Sequence, residues 1–222
     1  MLVQIEIFNY VLTNDSAMLG TFPGNGYIIE SYNSNAFVDS SKTDYDIIIP
    51  ATIKYNDQYY FVRKLGSHSF RYSNIRSVKI GKFVSEIGSF AFDYCRKLKT
   101  IEFDRDSSMT IIENSFGVES LVATVVFPSS LKIIYNNLFT FNNLLKNIYF
   151  GGDFISNCWT NLSSHSNLNI YVLPNYQNSS FCSRNVTVIN EFPIMSSPSC
   201  KRCVNNGIYI LSFSNLVVFV LM

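Results

Sequence analysis

Apolar positions along this chain follow a compound rhythm. Ile75, Val78 and Ile80 open an apolar-x-x-apolar-x-apolar pattern. It returns as Leu98, Ile101, Phe103, then Val122, Val125, Phe127, then Leu145, Ile148, Phe150, in steps of 23, 24 and 23 residues. A phenylalanine precedes each copy, at Phe70, Phe92, Phe116 and Phe139, in steps of 22, 24 and 23. Self-similarity at a period near 23 marks a stacked repeat. The last three positions of each copy alternate apolar, outward, apolar, which is the period of a β-strand. Each copy therefore predicts one short strand, and stacking the copies lays these strands side by side as a parallel sheet, about 4.8 Å apart. The stretch from Leu65, Ile87, Ile111 or Ile134 to its Phe returns along the opposite side of the coil. It is predicted to be irregular or a single helical turn. One copy buries five large apolar side chains at about 1.5–3 kcal/mol each but orders some 23 residues at about 1.5 kcal/mol each. Only the stack can be stable.

The rhythm frays at both ends. Ile47 and Ile49, followed by Pro50, read as the strand of an earlier copy. In "ATIKYNDQYYFV" (residues 51–62), Asn56-Asp57 sits between alternating residues and predicts a hairpin turn. Ile170 and Val172 lie 22 residues beyond Ile148 and Phe150, so a strand persists there, while "FISNCWTNLSSHSN" has lost the pattern. Atypical end units are what a stacked array needs to cover its open core. The N-terminal "MLVQIEIFNYVLTND" alternates apolar and polar residues and reads as a strand rather than a signal peptide. "GIYILSFSNLVVFVLM" (residues 207–222) is apolar but interrupted by Ser212, Ser214 and Asn215. As a helix its 16 residues span about 24 Å, short of a ~30 Å bilayer core. A tail anchor and a buried terminal strand both remain open.

Composition narrows the function. The 222 residues are 47% hydrophobic and only 15% charged, with a formal net charge of +1. That excludes the excess of Lys and Arg that nucleic-acid binding requires. Arg71, Arg76, Lys79 and Lys82 form the most basic stretch and read as a solvated face. The five cysteines, at 95, 158, 182, 200 and 203, are odd in number and unevenly spread, which spells no disulfide framework. Cys200 and Cys203 make a lone CxxC without a second pair or a nearby histidine, so no metal site is expected. His68 and His165 belong to no HExxH, and the chain holds neither GxSxG nor GxxxxGK[ST]; "GTFPGNG" (residues 20–26) is a turn-rich loop. "DRD" (residues 104–106) reads as a solvated loop rather than a cation site. No cofactor is implied. Sequons occur at Asn14, Asn161, Asn178 and Asn185, a number that chance supplies in so Asn-rich a chain.

Cys95 tests the choice between enzyme and scaffold. Flanked by Tyr94, Arg96 and Lys97, it resembles a tuned thiol. Aligned on the repeat, it matches Tyr72, Glu119 and Asn142, three residues before each copy's first apolar position. A nucleophile has no reason to recur in that form, whereas a turn column does.

"IGSFAFDYCRKLKTIEF" (residues 87–103) and "VVFPSSLKII" (residues 125–134) resemble the BspA-like leucine-rich repeat. "DIIIPATIKYNDQYYFVRKLGSHSF" (residues 46–70) resembles that family's N-terminal capping unit. Gly66 and Gly88 hold the family's glycine column, which Ile112 and Tyr135 then replace; Pro50 and Pro128 hold its proline column, and Gly81, Asp104 and Gly151 do not. The resemblance implies a leucine-rich-repeat solenoid, β-rich, with one short parallel strand per repeat. The resemblance covers about residues 40–175, and with the end patterns the chain divides into an N-terminal strand and loop segment (1–40), a capping unit (41–64), the repeats (65–175), a C-terminal cap and linker (176–199) and the apolar tail (200–222). It also implies a protein of anaerobic bacteria or parasitic protists that is a surface antigen binding host matrix proteins or mediating adhesion, with no catalytic residues.

The functional surface expected is the outward face of the strands. Alternation places Lys79, Glu102, Val126, Tyr149 and Tyr171 there, flanked by Ser77, Thr100, Thr124 and Asn147. A repeat surface of this kind suits a protein ligand, with tyrosine as anchor. A cell-surface or secreted protein is the first expectation. The rival is an intracellular or tail-anchored scaffold, in which Lys201 and Arg202 hold their side of the tail cytoplasmic and Cys200 and Cys203 are acylated.

Overall fold

The computed structural model describes residues 2–5, 8–12, 16–19, 45–160, 162 and 165–193. The Gly20–Gly26 loop, the sequons at Asn14 and Asn161, the CxxC and the apolar tail 207–222 lie outside the described residues. Among those described, no helix is long and apolar enough to cross a membrane.

Three short strands open the chain: β1 (Leu2–Ile5), β2 (Phe8–Leu12) and β3 (Ser16–Leu19). Next come β4 (Tyr45–Ile49) and the hairpin β5 (Thr52–Tyr55) and β6 (Gln58–Leu65). Each following coil contributes a longer strand and a two-residue strand. These are β7 (Ile75–Ile80) and β8 (Glu86–Ile87), β9 (Thr100–Phe103) and β10 (Ile111–Ile112), β11 (Thr124–Phe127) and β12 (Ile133–Ile134), and β13 (Asn147–Phe150) and β14 (Asn157–Cys158). The chain then adds β15 (Asn169–Val172), a small hairpin of β16 (Ser180–Phe181) and β17 (Arg184–Asn185), and β18 (Thr187–Val188). The coils belong to one unit, Met1–Phe192.

The longer strands stack in the expected register. Val78 pairs with Ile101 and Ile80 with Phe103, Val125 with Ile148, and Ile148 with Ile170. Ile47 and Ile49 pair with Val78 and Ile80 as the earlier copy. The Asn56-Asp57 turn closes the β5–β6 hairpin, with both residues at positive φ (49° and 61°). That matches the primed turns whose twist suits a two-residue hairpin. The inward apolar members of the strands are buried, Phe103 in part, and, with the rings of Phe70, Phe92, Phe116 and Phe139 in contact one coil to the next, form one continuous core.

The return side holds more order than the sequence indicates. The returns are irregular turns, but each opens on a short strand, and these strands build a second parallel ladder: Leu65 to Ile87, Ile87 to Ile112, Ile112 to Ile134, and Ile134 to Cys158. This corrects the frame by one residue in the third copy. Ile112, fully buried, occupies the column assigned to Ile111, and Glu113 takes the glycine column assigned to Ile112. Nine residues separate Phe103 from Ile112, whereas seven separate Ile80 from Ile87, and the return from Ile112 to Phe116 is one residue shorter than the others. At Gly88 a Cβ would lie 2.7 Å from the backbone nitrogen of Ser67. The glycine there permits close approach of consecutive coils.

Each return carries two or three non-glycine residues in the left-handed region: His68 and Tyr72, Phe90 and Tyr94, Ser115 and Glu119, and Asn137, Phe139 and Phe141. Each such residue costs about 1–2 kcal/mol. The kinked backbone turns its N–H groups onto the next coil, as in Phe70 N–H to Ala91 O (2.9 Å) and Tyr72 N–H to Asp93 O (3.0 Å). Stacked side chains offset the strain further, with His68 on Phe90 and Tyr72 on Tyr94, both at 4.9 Å.

Candidate functional site: the outward face of the strand ladder

Alternation along β7, β9, β11, β13 and β15 points every second residue away from the core. Lys79 pairs with Glu102 across β7 and β9, flanked by Ser77 beside Thr100. Val126 pairs with Tyr149, and Thr124 with Asn147, whose Nδ2 donates to Thr124 Oγ1 at 3.4 Å. Tyr149 pairs with Tyr171. The strand pairing divides between β9 and β11 into β4-β7-β9 and β11-β13-β15-β18. The expected residues therefore fall in two groups, Lys79, Thr100 and Glu102 in one and Thr124, Val126, Asn147, Tyr149 and Tyr171 in the other.

The two tyrosine rings stack 4.9 Å apart, and Phe192 meets Tyr149 edge-on at 5.5 Å. Desolvation and the neighbouring Tyr171 raise the Tyr149 phenol above its ordinary value. Three positions on this face escaped the sequence reading. Ile48, 56% exposed, pairs with Lys79. Its place between Ile47 and Ile49 was the signal that could have found it. Thr187 pairs with Tyr171 at the far end. Phe192 lies beyond the last recognisable repeat, where no period announces it.

The basic stretch does not form one patch. Arg76 bonds Asp46 at 2.7 Å, Lys79 faces outward, and Lys82 lies over Phe83. Arg71 turns to the return side, where its Nε lies 3.1 Å from Asp93 and its guanidinium sits over the rings of Tyr72, Phe90 and Tyr94. Asp93 is 2% exposed. Burial lifts its carboxyl to about 6 against the pull of Arg71. A folded-state value above the unfolded value of about 3.9 means that the folded chain binds more protons between those two pH values. The Asp93 contribution to stability therefore declines as pH rises from about 4 to 6, by about 2–3 kcal/mol in all. Melting of the wild type and Asp93→Asn at pH 4.5 and 6.5 should show the smaller pH-induced loss in the variant. Equal losses would remove Asp93 from the account.

Cys95 occupies a buried column, but not the expected one. The column runs Ser73 (Oγ to Cys95 Sγ, 3.4 Å), Cys95, Ser120 and Asn142, with Ser73 and Ser120 in place of Tyr72 and Glu119, which lie one residue earlier at positive φ. The thiol donates to Phe70 O at 3.0 Å, and Asn142 Nδ2 donates to Ser120 Oγ and Val122 O at 3.1 and 2.9 Å. Burial pushes the Cys95 thiol up to about 12. It is a rung that satisfies coil carbonyls, and as a neutral thiol it is a poor nucleophile.

On the same side of the coils, Lys64 bonds Glu86 and lies 3.6 Å from Glu113, whose Oε2 accepts from Ser89 N and Oγ at 2.9 and 2.8 Å. Burial raises the Glu86 carboxyl. Burial acts the same way on Glu113, but hydrogen bonds from Glu86 and Ser89 carry it below its ordinary value. His165 Nε2 lies 3.0 Å from Phe139 O. In "DRD", Asp106 N–H donates to Asp104 Oδ1 at 3.2 Å, closing an exposed turn. Among the described residues no three His, Cys, Asp or Glu side chains are placed to hold a metal ion. The sequon residues Asn178 and Asn185 are exposed.

Two of the cysteines are bonded, against the expectation from their odd number and uneven spacing. Cys158 and Cys182 form a disulfide, with Cα atoms 5.3 Å apart. Cys158 replaces the isoleucine of the return ladder in the last coil, and Cys182 belongs to the β16–β17 hairpin that follows. The bond fastens the end unit to the stack. Nothing in the spacing pairs these two residues, because their proximity arises only once the coils are stacked.

Solved structures similar to this chain share its fold at low identity. A leucine-rich repeat protein from Bacteroides capillosus matches at 22% identity and TM-score 0.52, over 67% of this chain and 97% of that one. A leucine-rich repeat protein from T. pallidum matches at 19% and 0.56, over 77% and 70%. The pneumococcal vaccine antigen PcpA matches at 18% and 0.57, over 80% and 45%. No curated protein matches the sequence. Six copies of the BspA type leucine rich repeat region match residues 63–187, in agreement with the stacked coils and their register, and the chain belongs to that family.

Proposed function

We propose that this chain is a non-enzymatic protein-binding module, displayed at a cell surface or secreted, and that the outward strand face contacts its partner. The observation that carries this reading is the Tyr149–Tyr171 stack at 4.9 Å, buttressed by Phe192 on the outward strand face. Rings already held by stacking lose little side-chain entropy on binding, and Tyr anchors dominate many interfaces. Val126 extends the apolar part. Thr124, Asn147 and Thr100 supply hydrogen bonds, and Lys79 and Glu102 a charged rim. The partner class, a host or matrix protein, follows from the family's character. The likeness to a pneumococcal vaccine antigen agrees with it. The Cys158–Cys182 bond favours an oxidising compartment over the intracellular scaffold.

Immobilised fibronectin and laminin provide the test. Tyr149→Ala with Tyr171→Ala should weaken whichever contact the wild type makes by about 30-fold, the effect of losing a 2 kcal/mol anchor. The melting temperature should change little, since a cross-strand pair contributes about 0.2–1 kcal/mol. Binding that survives the double substitution would move the contact off this face. Surface labelling of intact cells addresses location, and protein labelled only after permeabilisation would rule out display.

A further inference from the structure

Charge is unevenly divided along the solenoid. Residues 63–105 hold ten of the 17 Lys and Arg but four of the 16 Asp and Glu, so this stretch carries +6 and the remainder −5. Among those ten, Lys64, Arg71, Arg76 and Arg96 each lie against a carboxylate of the described residues. Arg63 and Lys82 form no ion pair among the described residues and lie over aromatic rings instead. The Arg63 guanidinium is 5.1 Å from the Phe61 centroid, and Lys82 Nζ is 5.7 Å from that of Phe83. The two rings meet edge to face at 4.8 Å, which joins the hairpin to the next coil. Two residues back along β6, Tyr59 shares the exposed face and lies opposite Lys54 of β5, whose Nζ is 5.9 Å from its ring. Tyr59 is 67% and Phe61 39% exposed. Rings and cations thus alternate along one strip, away from the outward strand face.

We propose that this strip binds an acidic polysaccharide. Sulfate or carboxylate groups would pair with Arg63 and Lys82, whose positions are fixed by the rings beneath them. The apolar faces of sugar rings would lie on Tyr59 and Phe61. A flexible polyanion gains from such contacts chiefly by releasing counterions, so a local excess of charge suffices even in a chain of net charge +1. Among polyanions the Cys158–Cys182 bond favours a glycan over a nucleic acid, because disulfides persist outside the reducing cytosol and nucleus.

The full chain on immobilised heparin, with dextran as the neutral control, tests this. Arg63→Ser with Lys82→Ser should lower heparin affinity about tenfold and reduce the slope of log K against log salt by about 2. Tyr59→Ser with Phe61→Ser should lower affinity at unchanged slope. Lys99→Ser with Lys146→Ser, an equal charge loss elsewhere, should leave binding intact, as should the Tyr149 and Tyr171 substitutions. Circular dichroism establishes that each variant is folded. No retention of the wild type on heparin at about 50 mM salt would overturn the proposal. So would equal losses in the two charge-removing variants, or displacement of heparin by single-stranded DNA at matched charge.

Discussion

Ile101→Asp is expected to abolish folding of the array, while Thr100→Asp, one residue away, leaves it folded. Ile101 is 4% exposed and pairs with Val78 at the centre of the stack. The substitution removes an isoleucine, at about 2–5 kcal/mol for the lost contacts. It also places a carboxylate where no partner meets it, at several kcal/mol more. Their sum rivals the 5–15 kcal/mol that typically holds a domain together. A coil that cannot form also exposes the coils on either side, since each copy is stable only through its neighbours. Thr100 is half-buried at the outward edge beside Ser77, where a carboxylate reaches water. Its cost should stay within about 1 kcal/mol. Thermal melting followed by circular dichroism separates the outcomes. Equal shifts in the two variants would mean that the inward and outward positions are exchanged.

Much of this architecture is legible from the sequence because a repeat writes its core several times. The column Val78, Ile101, Val125, Ile148 is clear from its period alone, and it fixes both the strand register and the outward face. Legibility ends where a column tolerates small shifts. The third copy redistributes residues between its two turns, so Ile111 and Ile112 are equally good matches until the backbone shows which one is buried. The Cys95 column failed for the same reason. Counting back from Leu98 crosses a turn whose length varies, and the count selected Tyr72 and Glu119 instead of Ser73 and Ser120. Phe192 and Cys182 lie in the atypical end, where the period has stopped and only tertiary packing brings them to Tyr149 and Cys158.

Removing the Cys158–Cys182 bond should loosen one end of the array and leave the other intact. The bond closes a loop between residues 24 apart in sequence. Loop-closure entropy sets its contribution at about 3 kcal/mol. It acts where the return ladder runs out of isoleucines, at Cys158 beside Ile134. The remaining attachment of the end unit includes Arg184, which donates to the carbonyls of Leu168, Leu162 and Ser166 at 2.8, 3.3 and 3.0 Å. Two of these bonds are part-buried and one is exposed, and each is worth about 1.5–3 kcal/mol at most. In a stack governed by nearest-neighbour contacts, a weakened end frays inward one coil at a time. Cys158→Ser with Cys182→Ser, or reduction of the wild type, should therefore raise hydrogen exchange in β15 to β18 first and in β13 next. Exchange in β7 and β9 should be unchanged. The melting temperature should fall by about 6–12 °C if the chain unfolds as one unit, and by less if the end melts separately. Cys95→Ser should leave the exchange pattern of the end unit untouched, since Cys95 lies in a different coil. Uniform acceleration along all the strands would show that the bond stabilises the whole stack. No acceleration would show that Arg184 and the packing of Phe181 suffice without it.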